Sequence, residues 1–167
     1  HRLDAIKPRL ARSGLSNVHP VAIAHERDER IKRLAGKLDR VLVDAPCSGL
    51  GTLRRSPDLK WRQTPETVAA QAELQQRILA SAARLLKPGG RLVYATCSLL
   101  VQENEAVVTA FDAQHPEFDA VPVVELLTAG QVGSAAELCV QDGRFLRLWP
   151  HRHGTDGFFA AAWQRRY

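Results

Sequence analysis

Methionine is missing altogether from the 167 residues, and the first residue is His1. A natural chain opens on an initiator Met, so the sequence is expected to be a piece of a longer protein. No apolar run comes near the roughly 20 residues that span a bilayer, and no charged-then-apolar leader precedes a cleavage site. A membrane partner is not expected. Cysteine is scarce as well: three residues, an odd number, do not make the disulfide framework of a small secreted domain. Free thiols in a reducing cytoplasm are the expectation. The paired Cys/His spacing of zinc sites is absent, so Cys139, His151, His153 and Asp156 read as turn and strand residues and no metal is expected.

What is present suits one domain with a real core: 45% apolar and 25% charged residues in a chain of this length. The net charge of +5 is uneven. Residues 1–62 hold 14 Lys/Arg against 7 Asp/Glu, whereas the remainder holds 9 against 11. A basic half points to a polyanionic partner, nucleic acid being the commonest. A solvated surface accounts for the charge equally well.

Two strands dominate the pattern. Val41-Leu42-Val43 runs into Asp44-Ala45-Pro46-Cys47-Ser48-Gly49. Leu92-Val93-Tyr94-Ala95-Thr96-Cys97-Ser98 then repeats Leu-Val-x-Ala-x-Cys-Ser of Leu42 to Ser48. Between them Thr64-Pro65-Glu66 is a helix start, with Thr64 as N-cap and Pro65 at the first helical position. Val68, Ala72, Gln75, Ile78, Leu79, Ala82, Leu85 and Leu86 keep one face, and Lys87-Pro88-Gly89-Gly90 ends the helix.

Elsewhere the signals predict a helix within residues 3–13, begun or kinked at Pro8 and stopped at Gly14, then a strand over Val18–Ala24. A charged loop with a helical turn should follow over His25–Lys37, and an exposed loop over Leu50–Arg62. A second long helix is predicted over Glu103–Gln114, with Ala106, Val107, Ala110 and Phe111 inward. A loop over Thr128–Glu137, a hairpin around Gln141-Asp142-Gly143-Arg144, a loop over Pro150–Asp156 and a last strand over Phe158–Gln164 complete the chain. Helix-separated strands call for a mostly parallel α/β sheet with an antiparallel pair at the end. In such sheets ligands sit beyond the carboxyl ends of the strands, where Asp44, Cys47 and Cys97 fall.

Two thiols and a carboxylate there admit three chemistries. One is a redox pair, although redox motifs usually keep both cysteines in one short turn. Zinc would need further ligands. Covalent catalysis, in which a thiolate adds to an electron-poor carbon, is the third. Buried structural cysteines remain the bland alternative.

Further blocks lie in series with the first: Arg54-Arg55-x-Pro57-Asp58-x-Lys60-Trp61, Leu86-Lys87-Pro88-Gly89-Gly90, Tyr94-Ala95-Thr96-Cys97-Ser98, Glu103-Asn104-Glu105 and Gly154-Thr155-Asp156-Gly157-Phe158-Phe159. Together they resemble the Sun-type family of RNA cytosine-C5 methyltransferases, which use S-adenosylmethionine. The resemblance covers the chain from about residue 15 onward. It implies a Rossmann-like class I methyltransferase fold lacking its first strands, with residues 1–167 as one partial domain. It further implies Cys97 as nucleophile toward C6 of cytosine, Cys47 as the thiol that aids release, and Asp44 and Pro46 beside the base and the methyl donor. Arg54, Arg55, Lys60 and Trp61 would meet RNA, small-subunit ribosomal RNA being the family's commonest bacterial target.

DNA cytosine-C5 methyltransferases instead place the nucleophile in their Pro-Cys block, which would make Cys47 the attacker. The family's glycine-rich cofactor loop has no counterpart here, and the acidic residue that grips the cofactor ribose should precede His1. Weak cofactor binding by this chain and self-association through an exposed sheet edge are therefore expected. An RNA-binding fragment without chemistry, and a thiol redox protein, are the alternatives.

Overall fold

The run Val41-Leu42-Val43 lies in β1 (Leu38–Asp44), which pairs in parallel with β2 (Leu86–Thr96) in the computed structural model, where residues 3–167 are described. On the other side of β2 lies β6 (Phe158–Arg165), antiparallel, with Arg91 opposite Gln164 and Thr96 opposite Phe159. The far edge of β6 is shared. Its first part pairs with β5 (Phe145–Leu148) and its second with β3 (Phe118–Val121), while β4 (Cys139–Val140) forms the predicted hairpin with β5.

The α/β class is as expected, but the strand directions need correction. Only β1 and β2 are parallel among the described strands, and every other pairing is antiparallel. For β5 and β6 the reason is the connection between them. It holds only the short α7 (Pro150–His153), and a parallel return needs a crossover of a dozen or more residues.

The helix signals hold. Pro8 opens α1 (Lys7–Ser13), which stops at Gly14 in the left-handed region at φ 68°. The charged stretch contains α2 (Glu29–Lys32), whose first turn is capped by Asp28 accepting from the Arg30 amide at 2.9 Å. The basic loop contains α3 (Leu59–Arg62). Thr64 caps α4 (Pro65–Ala83), its hydroxyl accepting from the Thr67 amide while the Thr67 hydroxyl accepts from the Thr64 amide.

One face of the sheet carries the core. Leu79 of α4 shares one buried cluster with Leu92 and Tyr94 of β2, Phe159 and Trp163 of β6, and Val107 and Phe111 of α5 (Glu105–Gln114). Phe111 lies 4.7 Å from Trp163 and 5.5 Å from Phe118, centroid to centroid, and the Trp163 indole donates to Asp112 at 2.6 Å. Each large side chain fully buried here contributes about 1.5–3 kcal/mol relative to exposure. Since Val41 and Val43 join this cluster, strand alternation turns Leu42 to the opposite face, where it is 69% exposed.

Four predicted details differ. Val18–Ala24 alternates but forms no strand: Ala24 donates to the Asp28 side chain and Arg30 reaches the Ala22 carbonyl, so local bonds hold it as a loop. Helix α4 ends at Ala83 rather than Leu86, because Leu86 pairs with Leu38 and the Leu85 carbonyl accepts from Lys37 and Leu38. In α5 the buried residues are Val107, Val108 and Phe111, so Val108 replaces Ala106 on the inner face. Finally, β3 and α6 (Val123–Ala129) were not anticipated.

Candidate active site

Parallel β1 and β2 end side by side, with Asp44 opposite Ala95 and the Ala45 amide donating to the Ala95 carbonyl at 2.9 Å. The two turns that follow carry Cys47 and Cys97, both half-buried free thiols, and their sulfurs lie 3.4 Å apart. That distance is a hydrogen bond, well beyond the roughly 2.05 Å of a disulfide. The pair is electrically unequal. Accepting from Cys47 brings the Cys97 thiol down to about 7, against opposing contributions from burial and from Asp44 and Glu103. The same bond, together with burial, pushes the Cys47 thiol up. With Cys47 as the donor, Cys97 is the thiol of the pair that ionises more readily. Asp44 and Pro46 are exposed beside them at the carboxyl edge of β1.

Behind the sulfurs lies a buried polar network. Glu103 has no exposed surface, and its Oε1 accepts from the Ser48 amide at 2.7 Å and from Gln75 at 3.2 Å. Its Oε2 accepts from the Ser48 hydroxyl at 2.5 Å and from the Ser98 hydroxyl. Gln75 also donates to the Pro46 carbonyl at 2.8 Å. Thr96 donates to Asn104 at 2.6 Å, Asn104 to the Ser98 carbonyl at 3.0 Å, and Tyr94 to the Glu103 carbonyl at 2.6 Å. The sequence reading assigned no role to Ser48, Ser98, Gln75 or Glu103. The available signals were the serine repeated after each cysteine and a glutamine in an otherwise apolar helix stripe.

A third turn closes the site. The Gly51 amide donates to the Cys97 carbonyl and the Gly157 amide to the Gly51 carbonyl, each at 2.8 Å. A Cβ on Gly51 would stand 2.4 Å from the Gly157 carbonyl oxygen and 2.6 Å from that of Cys97, so glycine is required there. The basic loop joins the same turn. Arg54 donates to the Gly154 carbonyl at 2.5 Å and Arg55 pairs with Asp156. Lys60 and Trp61 project into solvent, the ammonium 4.6 Å from the ring centroid and Trp61 80% exposed. A groove of about 520 Å³ opens beside them, lined by Leu50, Leu53, Lys60, Pro65 and Leu100 among others. A separate cavity of about 260 Å³ between Ile23, Ile31 and Ile78 includes no residue of the thiol turns. Among the described residues no group of three or more His, Cys, Asp or Glu is placed to hold a metal.

The family model described as 16S rRNA methyltransferase RsmB/F matches residues 1–164. The chain belongs to that family. The Sun-type resemblance is thereby borne out, and the RsmB/F relatives agree with it. The chain is 38% identical to the probable ribosomal RNA small subunit methyltransferase B of Bacillus subtilis, over 99% of this chain and 36% of that protein. It is 36% identical to the ribosomal RNA small subunit methyltransferase F of Escherichia coli, over 96% of this chain and 32% of that protein. A crystal structure of NSun6 from Pyrococcus horikoshii with SFG superposes with a TM-score of 0.76 at 27% identity, covering 99% of this chain and 39% of that one. Another solved structure, PH0851, gives a TM-score of 0.84 at 37% identity, covering 98% of this chain and 34% of that one. The Rossmann-like methyltransferase fold is consistent with both. This RsmB/F chain spans about a third of the length of the curated relatives it matches.

Proposed function

We propose that the protein methylates C5 of cytosine in RNA, with small-subunit ribosomal RNA as substrate and S-adenosylmethionine as methyl donor. The observation that carries the reading is the unequal sulfur pair at the ends of two adjacent parallel strands. C5 of cytosine is a poor nucleophile. The Cys97 thiolate adds to C6, and the displaced electron pair makes C5 an enamine carbon. S-adenosylmethionine, when bound, supplies the electrophilic methyl group that C5 takes up. Loss of the C5 proton to a base then lets the C6–S bond break, returning the electron pair to Cys97 and aromaticity to the ring.

Cys47 fits the second half of this sequence. The main cause that holds its proton is the hydrogen bond to Cys97. Once the Cys97 sulfur is bonded to C6 it is no longer an anion, and that hold is released. Cys47 then becomes free to assist the proton transfer that ends in release. Asp44 has an exposed carboxylate beside the thiols, which suits the amino edge of the base and the donor's side of the pocket, with Pro46 shaping the same wall. Both fit a cofactor lying beyond the carboxyl edge of β1.

RNA would be met by Lys60 as a phosphate contact and Trp61 as a stacking surface. Arg54 and Arg55 are partly engaged by the Gly154–Asp156 turn, so they position the loop as well as supply charge. The open outer edge of β1 also favours self-association of the isolated chain.

The experiment is incorporation of labelled methyl into RNA by the full-length protein, with RNA–protein adducts resolved on denaturing gels. Cys97→Ser is expected to lose methylation without forming an adduct. Cys47→Ser is expected to accumulate a covalent adduct. Turnover retained by Cys97→Ser and lost by Cys47→Ser without an adduct would reverse the assignment.

A further inference from the structure

The sulfur pair is assembled from two turns 50 residues apart. Among the described residues, one side chain outside both turns grips both of them, and it belongs to Glu103. We propose that Glu103 is a positioning residue: by accepting from Ser48 and Ser98 together it fixes the neighbours of Cys47 and Cys97 and so holds the two sulfurs in contact. The inference rests on the reading of Cys97 as nucleophile.

Three observations carry it. The first is the sharing of one oxygen. Oε2 takes a hydroxyl from each turn, while Oε1 takes the Ser48 amide and Gln75, which itself holds the Pro46 carbonyl. Pro46-Cys47-Ser48 is therefore held on both sides of the thiol. The second is the absence of a cation. All four donors to this fully buried carboxyl are neutral. Such burial is costly unless every donor is well aimed, so the geometry of the donors is the purpose of the group. The third is sign. A negative group near Cys97 opposes thiolate formation, and Glu103 does so. Its benefit to the site is thus positional, because its charge works the other way.

Glu103→Ala removes both acceptor oxygens, so the Ser48 and Ser98 hydroxyls lose their common partner and the side chain that ties the two thiol turns together is gone. The titratable groups facing the sulfurs are Asp44 and Glu103 around Cys97, with Tyr94 facing Cys47. Removing the charge alone would therefore lower the midpoint of Cys97, whereas losing the sulfur contact would raise it.

The test is the pH dependence of Cys97 alkylation by iodoacetamide, resolved by site with mass spectrometry, in the folded protein without RNA or cofactor. The midpoint is expected near 7 in the unaltered protein. Glu103→Ala is expected to move it upward by about one unit or more, toward the ordinary thiol value of about 8.5. An unchanged or lowered midpoint overturns the proposal. Ser98→Ala, which removes one donor and adds none, is expected to shift it upward by less, and it decides the matter if the Glu103→Ala variant does not fold. The measurement is independent of the adduct experiment. A Cys97 adduct with a midpoint indifferent to Glu103 sinks this inference alone. A midpoint set by Glu103 without any adduct sinks the functional reading alone.

Discussion

The chemistry of this site turns on which of two neighbouring sulfurs is charged. Cys97 ionises more readily when Cys47 donates to it, and that bond is the first cause of the shift in both thiols. The sign follows directly. A lowered thiol pKa means that reactivity appears as pH rises through about 7, well below the region where an ordinary thiol awakens. Cys47→Ala removes the donor. The alkylation midpoint of Cys97 is then expected to rise toward about 8.5, with roughly a tenfold or greater loss of thiolate at pH 7. A midpoint left near 7 would show that the backbone around Cys97, and not its partner, sets the charge. The thiols themselves were legible in the sequence, because strand, turn and cysteine recur together at matching ends. The network behind them was not. Glu103 binds Ser48 and Gln75 from 55 and 28 residues away, and no local spacing announces a contact that only the folded sheet creates.

At the scale of elements, the tightest constraint is the meeting of three turns at Gly51. Its missing side chain lets the carbonyls of Cys97 and Gly157 approach, and both are backbone atoms that cannot swing aside. Gly51→Ala is expected to cost about 1–3 kcal/mol, as overpacking usually does, and to depress methylation more than that loss of stability explains. Denaturant melts paired with single-turnover assays would check this, and a fully stable, fully active variant would refute it. Elements with local signals were legible: the Thr64 cap of α4, the Gly14 stop of α1, the Asp142-Gly143 hairpin. Elements defined by distant partners were not. Strand β3 has four residues and exists because β6 offers it an edge, while Val18–Ala24 alternates equally well and has no ladder to join.

For the molecule as a whole, the sheet is asymmetric. One face is packed by α4 and α5; the opposite face is buried at Ala160 and Ala162 of β6 but exposes Leu42 on β1, whose outer edge is unpaired among the described residues. An open strand edge flanked by an exposed leucine on the adjoining face invites pairing with a second chain. Leu42→Lys is expected to lower self-association in sedimentation velocity while leaving the melting temperature within a few degrees. Association unaffected by the lysine would place the contact elsewhere. The arrangement of β6 has a different reach. It contacts β2, β3 and β5, and it follows all of them in the chain. A ribosome therefore releases the middle of the sheet after its flanks, and the nascent segment carries three unpaired strand edges until Phe158–Arg165 emerges. During translation this is the interval in which a chaperone would matter most.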